Sequence, residues 1–351
     1  ACWVRLTLKG PLHVGRFVGV EREAVLDWVP ADTLFGALVS AWAFSGHDVA
    51  AYLEAFIAGD PPFLLTSAFP LAGPVRFYPR PWLRPQPPDL LAGARKRIKR
   101  LRWVSAGVFG RLLAGESLAG EAGDENFVHN EAVWLTRAER AQLPPAALEE
   151  GSAWKSQTVP HVTVDRSQAR SNLFHAGRVD FAAECGLWFA VRYRRDEALW
   201  QARLRGALDY LAEAGLGGLR STGHGAFEWG AADEPVPDTT GASHAVTLSR
   251  YAPRDVDELR AALLAEPRAA YGLVLVGGWC RDGVLHAYRR RSVRMVDEGS
   301  VLAWPTGAVL GHAVDVTPQG VGQFGHRHRV LRYGYAYPVP VAPAALQEVP
   351  Q

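Results

Sequence analysis

The residues best suited to chemistry sit in one stretch, Gly215-Leu216-Gly217-Gly218-Leu219-Arg220-Ser221-Thr222-Gly223-His224-Gly225, with five glycines in eleven positions. Glycine adopts positive φ without steric penalty and lets a backbone come close to a ligand. Arg220, Ser221, Thr222 and His224, set among the glycines, can all donate hydrogen bonds. Exposed N–H groups beside such side chains suit phosphate oxygens. That marks Gly217, Gly218, Arg220, Ser221, Thr222, Gly223, His224 and Gly225 as a candidate anion-binding loop. A helical pattern over 196–214 precedes it, with Leu199, Leu204, Leu208 and Leu211 near one face, and the strand-like 226–229 follows. A dinucleotide site needs strand, loop and helix in that order. No Gly-x4-Gly-Lys-Ser/Thr sequence occurs either, so a mononucleotide fold is disfavoured. A glycine-rich tight turn packed at a sheet edge would have the same composition.

Cationic and aromatic residues recur elsewhere. Residues 95–102 hold six basic residues in eight, interrupted by Ile98 and Leu101. Such a run is expected to dock, with Lys96, Lys99 and Arg100 either contacting phosphate or a partner, or forming a solvated face. A second basic stretch, 289–294, contains four arginines. Catalysis by a nuclease needs acid–base groups or metal ligands, and no paired acidic cluster has metal-ligand spacing. In His47-Asp48 the aspartate reads as a helix N-cap. His326 and His328 alternate on a strand and share a face, but their basic neighbours oppose a cation, which leaves RNA contact or simple exposure. His13, His161 and His224 fall in loops. No metal and no cofactor is expected.

Elements must hold these groups. The alternation over 2–8 predicts a half-buried strand closed by Gly10-Pro11, with His13, Gly15, Arg16 and Gly19 in the loop beyond. Asp32 and Thr33 read as N-caps of a helix to Ala43, and a second helix covers 49–57. Strands are expected at 63–67 and 75–78. The proline-rich 79–88 fits neither a helix interior nor a central strand. The weakly patterned 115–153 reads as a partly mobile insertion. Val159–Ser167 reads as a strand, 167–172 as a polar loop, and Leu173-Phe174-His175 as the start of a return strand, a hairpin with a polar tip. Residues 187–193 read as a buried strand. After the Pro/Gly/Thr linker 233–243 come a strand at 245–248, a helix at 255–264, a central strand at 271–276 and a strand at 309–314.

Several blocks together resemble the RAMP proteins of CRISPR systems. GLGGLRSTGHGAFEW is similar to their G-rich loop, above all to that of the type III-A (Csm) RAMP subunit that holds the 5′ tag of the crRNA. VPADTLFGALVSAW resembles the first helix of the family. The basic run before Trp103-Val104-Ser105 and the segment Val159–Ser167 resemble two further blocks. So do Arg289–Ser300, ending Glu298-Gly299-Ser300, and His326–Val339, where Arg332-Tyr333-Gly334 match and Leu331 stands at a variable place. The likeness covers most of the chain and is weakest at 80–155. It implies an α+β fold of two ferredoxin-like (RRM-like) βαββαβ domains in tandem. The first would be 1–232 with an insertion at about 80–180, followed by the linker 233–243 and a second domain, 244–351. It also implies that the G-rich loop holds the tag, and that Arg16, Lys96, Lys99, Arg100, His161, Arg291, Arg294 and Arg329 serve RNA. An inserted hairpin thumb would reach the guide–target RNA duplex, with Leu173 and Phe174 as wedge and Arg166 and Arg170 as anchors. The partners implied are crRNA, a large polymerase-like subunit and a backbone RAMP subunit. A non-catalytic role is expected. The alternatives are a metal-independent RAMP endoribonuclease acting on precursor crRNA through a histidine, and a partner-binding module without RNA contact.

Bulk properties agree with a two-domain globular chain. It has 351 residues, 48% of them hydrophobic, and a formal net charge of +2, so it is not a globally basic coat protein. Its 38 basic residues include only four lysines, a bias that suits bidentate phosphate contacts and that a GC-rich genome also produces. Cys2, Cys185 and Cys280 form no C-x2-C pair, which points to a reducing, cytoplasmic setting. The apolar run 271–276 is far shorter than the roughly 20 residues of a membrane span, and no leader-peptide pattern opens the sequence.

Overall fold

A computed structural model describes residues 1–17, 23–91, 94–149, 151–165, 170–233, 241–281, 287–318 and 329–346. β1 (Cys2–Leu8) buries Cys2, Val4 and Leu6 on one face, as its two-residue period demands. The ribbon β2 (Gly15–Phe17) and β3 (Glu23–Val25) leads into α1 (Ala31–Phe44) and α2 (Val49–Ile57). Next come β4 (Phe63–Leu65), β5 (Phe69–Ala72), β6 (Val75–Pro79), the short α3 (Arg95–Arg100), β7 (Trp103–Ser105) and α4 (Ala106–Ala114). A compact stretch holds β8 (Phe127–Val128), β9 (Val133–Trp134), α5 (Arg137–Arg140) and α6 (Pro145–Glu149). The long hairpin β10 (Trp154–Asp165) and β11 (Arg170–Phe181) follows, then β12 (Cys185–Tyr193), α7 (Glu197–Ala214) and β13 (Phe227–Asp233).

The main sheet runs β13-β1-β12-β5-β6-β7-β9-β8, with β4 also on β12. Taken as a βαββαβ unit, β1, β4/β5, β12 and β13 are strands one to four, in spatial order four-one-three-two. α1 and α7 are its two helices and pack on each other. The ferredoxin-like reading thus holds, and β6, β7, β9 and β8 extend the same sheet. The stretch 115–153 is an integral layer: Leu118, Phe127, Val133, Trp134 and Leu135 all lie in the main core.

The second unit is built from β14 (His244–Thr247), α8 (Val256–Leu259) with a π turn over 260–264, β15 (Leu273–Val276), β16 (Trp279–Arg281), β17 (Ala287–Arg289), β18 (Val293–Val296), β19 (Val301–Ala303), β20 (Val314–Asp315), β21 (Leu331–Arg332) and β22 (Pro338–Val341). Its sheet, β19-β14-β22, repeats the one-between-three-and-four arrangement. Among the described residues of 304–337 no helix completes the repeat. The buried core runs through both units, because Leu248, Val301, Tyr333, Tyr335 and Tyr337 join the first-unit cluster.

Four expectations need correction. Pro30, not Asp32 or Thr33, is the α1 N-cap; Asp32 lies inside the first turn, where a buried charge network claims its carboxylate. The run 271–276 is an edge strand of a two-stranded ribbon, not a central strand. Only Val314–Asp315 of 309–314 is strand, since Gly311 lies flush against the Gly334 carbonyl and bends the chain there. Finally, residues 170–172 belong to β11, because the hairpin ladder continues to Asp165↔Arg170.

Candidate nucleic-acid interface

The glycine-rich loop joins α7 to β13 on top of the β1–β2 connection. Gly225 N donates to Pro11 O, and Gly218 N donates to His13 O, both at 2.8 Å. The glycines are required mainly for this close packing. A Cβ on Gly217 would stand 2.4 Å from His13 O, and one on Gly225 would stand 2.0 Å from Leu216 O, with φ of +91° and +78°. The amides of Gly218, Gly223 and Gly225 are therefore spent inside the protein. Between them the loop lifts a 3-10 turn, Arg220–Thr222, flanked by Leu219 (φ 56°) and Gly223 (φ 82°) in the left-handed region. A leucine held there costs roughly 1–2 kcal/mol, strain that the packed base of the loop sustains. The turn presents Arg220, Ser221 and Thr222 to solvent. The amides of Leu219, Arg220 and Ser221 have no partner among the described residues. This is an anion-binding turn of the kind expected, made by three amides rather than by the whole glycine run.

His224 is turned inward, with 6% of its surface exposed. The Thr222 hydroxyl donates to Leu219 O at 2.7 Å, so His224 Nδ1, 3.1 Å from that hydroxyl, donates to it. Its Nε2 is then an acceptor, buried and unpartnered. Burial pushes the imidazole below its usual range; the Thr222 contact opposes this, while His13, His161 and Arg178 push it further down.

The β10–β11 hairpin stands beside the loop. Twelve residue pairs, Trp154↔Phe181 to Asp165↔Arg170, make it about 40 Å long at about 3.4 Å per residue. Its root is anchored by reciprocal Leu12–Val179 main-chain bonds of 2.8 Å, by His13 Nδ1 donating to Gly177 O at 2.6 Å, and by Trp154 Nε1 donating to the buried Asp27 at 2.9 Å. Trp103 Nε1 donates to the same carboxylate at 3.2 Å. Asp27 thus ties hairpin and sheet together, a role that no sequence pattern around it announced. Partway along, the cross-strand pair His161↔Phe174 stacks at 5.4 Å, and His161 lies 6.2 Å from His224. Three histidines scattered in sequence, His13, His161 and His224, therefore converge where hairpin and loop meet. Arg166 lies outside the described residues, as do His326 and His328; Arg16, Arg170 and Leu173 lie on described strands, but their side chains do not.

The other candidates lie elsewhere. Lys96 and Lys99 are exposed on α3, but Arg100 pairs with Glu131 at 3.1 Å, and Arg97 is taken by Glu131 and Asp124. α3 leads into β7, which four strands separate from β13 and its loop. In the second unit Arg291 and Arg329 both face Asp315, at 3.5 and 3.9 Å, while Arg294 is exposed on β18. Burial alone would raise the Asp315 carboxyl, but bonds from Thr317 and these arginines hold it below the usual range.

Three of the sequence blocks meet in one buried network. Asp32 accepts from Arg250 at 3.2 Å and from Arg332, whose second nitrogen donates to Gly277 O at 2.8 Å. Glu298 lies 3.7 Å from Arg250 and accepts from Ser67 at 2.5 Å, and Ser67 in turn accepts from Ala31 N. Tyr333 accepts from Leu65 N at 2.9 Å. The Asp32-Thr33-Leu34-Phe35, Glu298-Gly299-Ser300 and Arg332-Tyr333-Gly334 segments thus clasp the two units together. No group of three or more His, Cys, Asp or Glu among the described residues is placed to hold a metal, and no helix there is long and apolar enough to cross a membrane.

Residues 240–341 match the CRISPR Csm4 C-terminal domain family. The whole chain is similar to a chain in the crystal structure of a Csm3–Csm4 subcomplex of the type III-A CRISPR-Cas interference complex, at 16% identity and a TM-score of 0.64, covering 98% of this chain and 100% of that one. It is also similar to a chain of the Csm1–Csm4 cassette in complex with cA4, at 19% identity and a TM-score of 0.53, covering 97% of each. No curated protein matches.

Proposed function

We propose that this chain, whose residues 240–341 belong to the CRISPR Csm4 C-terminal domain family and which has throughout the fold seen in Csm3–Csm4 and Csm1–Csm4 structures, is the RNA-holding RAMP subunit of a type III-A (Csm) effector. It holds the 5′ tag of the crRNA and docks a large polymerase-like subunit and a backbone RAMP subunit. The observation that carries the reading is the raised turn at Arg220–Thr222: three unpartnered amides, a guanidinium and two hydroxyls facing solvent at the root of a 40 Å hairpin. A sugar–phosphate strand crossing the turn takes the amides and Arg220 through its phosphate oxygens. It then runs toward His161 and Phe174, whose stacked rings offer a face to an unpaired base. The hairpin beyond them reaches toward the guide–target duplex.

The reading is non-catalytic. His224 is held neutral under the loop with its Nδ1 hydrogen occupied, and no carboxylate is recorded against the histidines. A second reading, metal-independent cleavage of repeat RNA, draws on the convergence of His13, His161 and His224. One experiment tests both. In the purified complex, Arg220→Ala is expected to weaken binding of tag-bearing RNA about 10- to 100-fold, the loss of one charge-assisted contact worth about 1.5–3 kcal/mol, and to lower the salt slope by about one. Unchanged affinity overturns the loop assignment. Repeat RNA incubated with the same complex in EDTA stays intact; cleavage abolished by His161→Ala establishes the second reading instead.

A further inference from the structure

β15 is an open edge. It pairs only with β18, in the register Leu273↔Val296 to Val276↔Val293. Asp297 N donates to Gly272 O at 2.9 Å. Because hydrogen-bonded and non-bonded pairs alternate along an antiparallel ladder, the bonded pairs include Val274–Met295 and Val276–Val293. The main-chain N–H and C=O of Leu273 and Leu275 therefore point away from β18, and neither has a partner among the described residues. The side chains here are apolar and open as well: Leu273 is 64% exposed, Leu275 63% and Trp279, where the strand continues, 64%. Trp82, half exposed, lies against Gly272 at the near end.

Soluble proteins blunt such edges with lysine, proline, a bulge or a cover. Leu273-Val274-Leu275-Val276 has no charged residue and no proline. A row of free amides flanked by bare leucines is instead the chemistry of strand addition. Arg294 stands opposite Leu275 and Arg289 opposite Trp279, both exposed, and directly opposite residues share a face.

We propose that β15 accepts an extended strand from a partner protein subunit of the assembly. That strand is apolar at alternate positions and carries carboxylates that reach Arg294 and Arg289. The inference rests on the assembly reading above but not on the tag site. A strand of a second copy would bring another arginine-bordered ribbon with no acid to meet these arginines. An RNA strand would meet the arginines but leave the leucines and the amide row uncovered.

The test compares hydrogen exchange in the isolated chain and in the assembled complex, together with Leu275→Pro. The Leu275 N–H is not used by β18, and its neighbours are extended, so proline fits this edge without breaking the internal ladder. The Leu273 and Leu275 amides are expected to exchange freely in the isolated chain and at least tenfold more slowly in the complex. Leu275→Pro is expected to keep its thermal transition and its tag-RNA affinity while losing at least tenfold in partner affinity, through one missing ladder bond and the bulk of the ring. Free exchange in the complex, undiminished assembly of the variant, protection by RNA alone, or protection that grows with concentration of the isolated chain each overturns the proposal. A failed tag-site reading appears separately, as normal tag binding by Arg220→Ala.

Discussion

Glu298 shows how far surroundings can move a single group. Complete burial pushes its carboxyl up to about 8; Arg250 pulls it down, Asp297 raises it further, and the Ser67 hydroxyl lowers it. Its ordinary value is 4.5, so between that pH and about 8 the folded chain keeps a proton that the unfolded chain has released. Proton uptake on folding means that this group's contribution is fully present below 4.5 and is lost as pH rises through 8. Glu298→Gln keeps an acceptor for Ser67 and removes the titration. The melting temperature of the variant relative to the native chain is expected to rise between pH 5 and pH 8.5, by about 2 °C or more. A constant difference across that range would place the carboxylate in its ionised form throughout. At this scale some of the site was legible and some was not. Arg220, Ser221 and Thr222 stand exposed, as their types suggest. His224 does not, because Thr222 and the packed base of the loop draw its ring inside. Composition marks a glycine but cannot say whether ligand or backbone fills the space beside it; at Gly217 and Gly225 it is backbone.

At the scale of elements, charge patterning overstated what α3 offers. Six basic residues in sequence became two free ones, because Glu131 and Asp124, more than twenty residues away, claim Arg97 and Arg100. Replacing both Lys96 and Lys99 by alanine is expected to lower the salt slope of RNA binding by at most about two and to weaken tagged and untagged RNA alike, since phosphate contacts carry no sequence information. Binding titrations at several salt concentrations check this; selective loss of tagged RNA would join α3 to the loop. The hairpin was legible from its alternating pattern, though its length was not: the ladder runs on to Asp165↔Arg170, through residues whose polarity suggested a loop. The apolar run 271–276 read as a central strand because hydrophobicity records what must be covered and not what covers it.

Across the whole molecule, the Asp32–Arg250–Arg332 cluster holds the two units as one body. All three side chains are almost wholly buried. With Glu298 largely protonated at neutral pH, Asp32 is the main counter-charge for two buried guanidiniums. Asp32→Ala is expected to cost about 3–5 kcal/mol in urea unfolding, the penalty for stranding buried charge. A loss below about 1 kcal/mol would reduce Asp32 to a first-turn acid acting on the helix dipole. The order of strands and helices, the turn-forming glycines and the apolar faces follow from local pattern, because propensity and periodicity act over a few residues, and so the fold class and the loop could be read from the chain. Which charges remain free, which histidines meet and which strand edge stays open depend on contacts between residues tens to hundreds of positions apart. Asp32 meets Arg332, and His13 meets Gly177, only because the packed sheet brings them into bonding distance, and nothing local in the chain encodes that proximity.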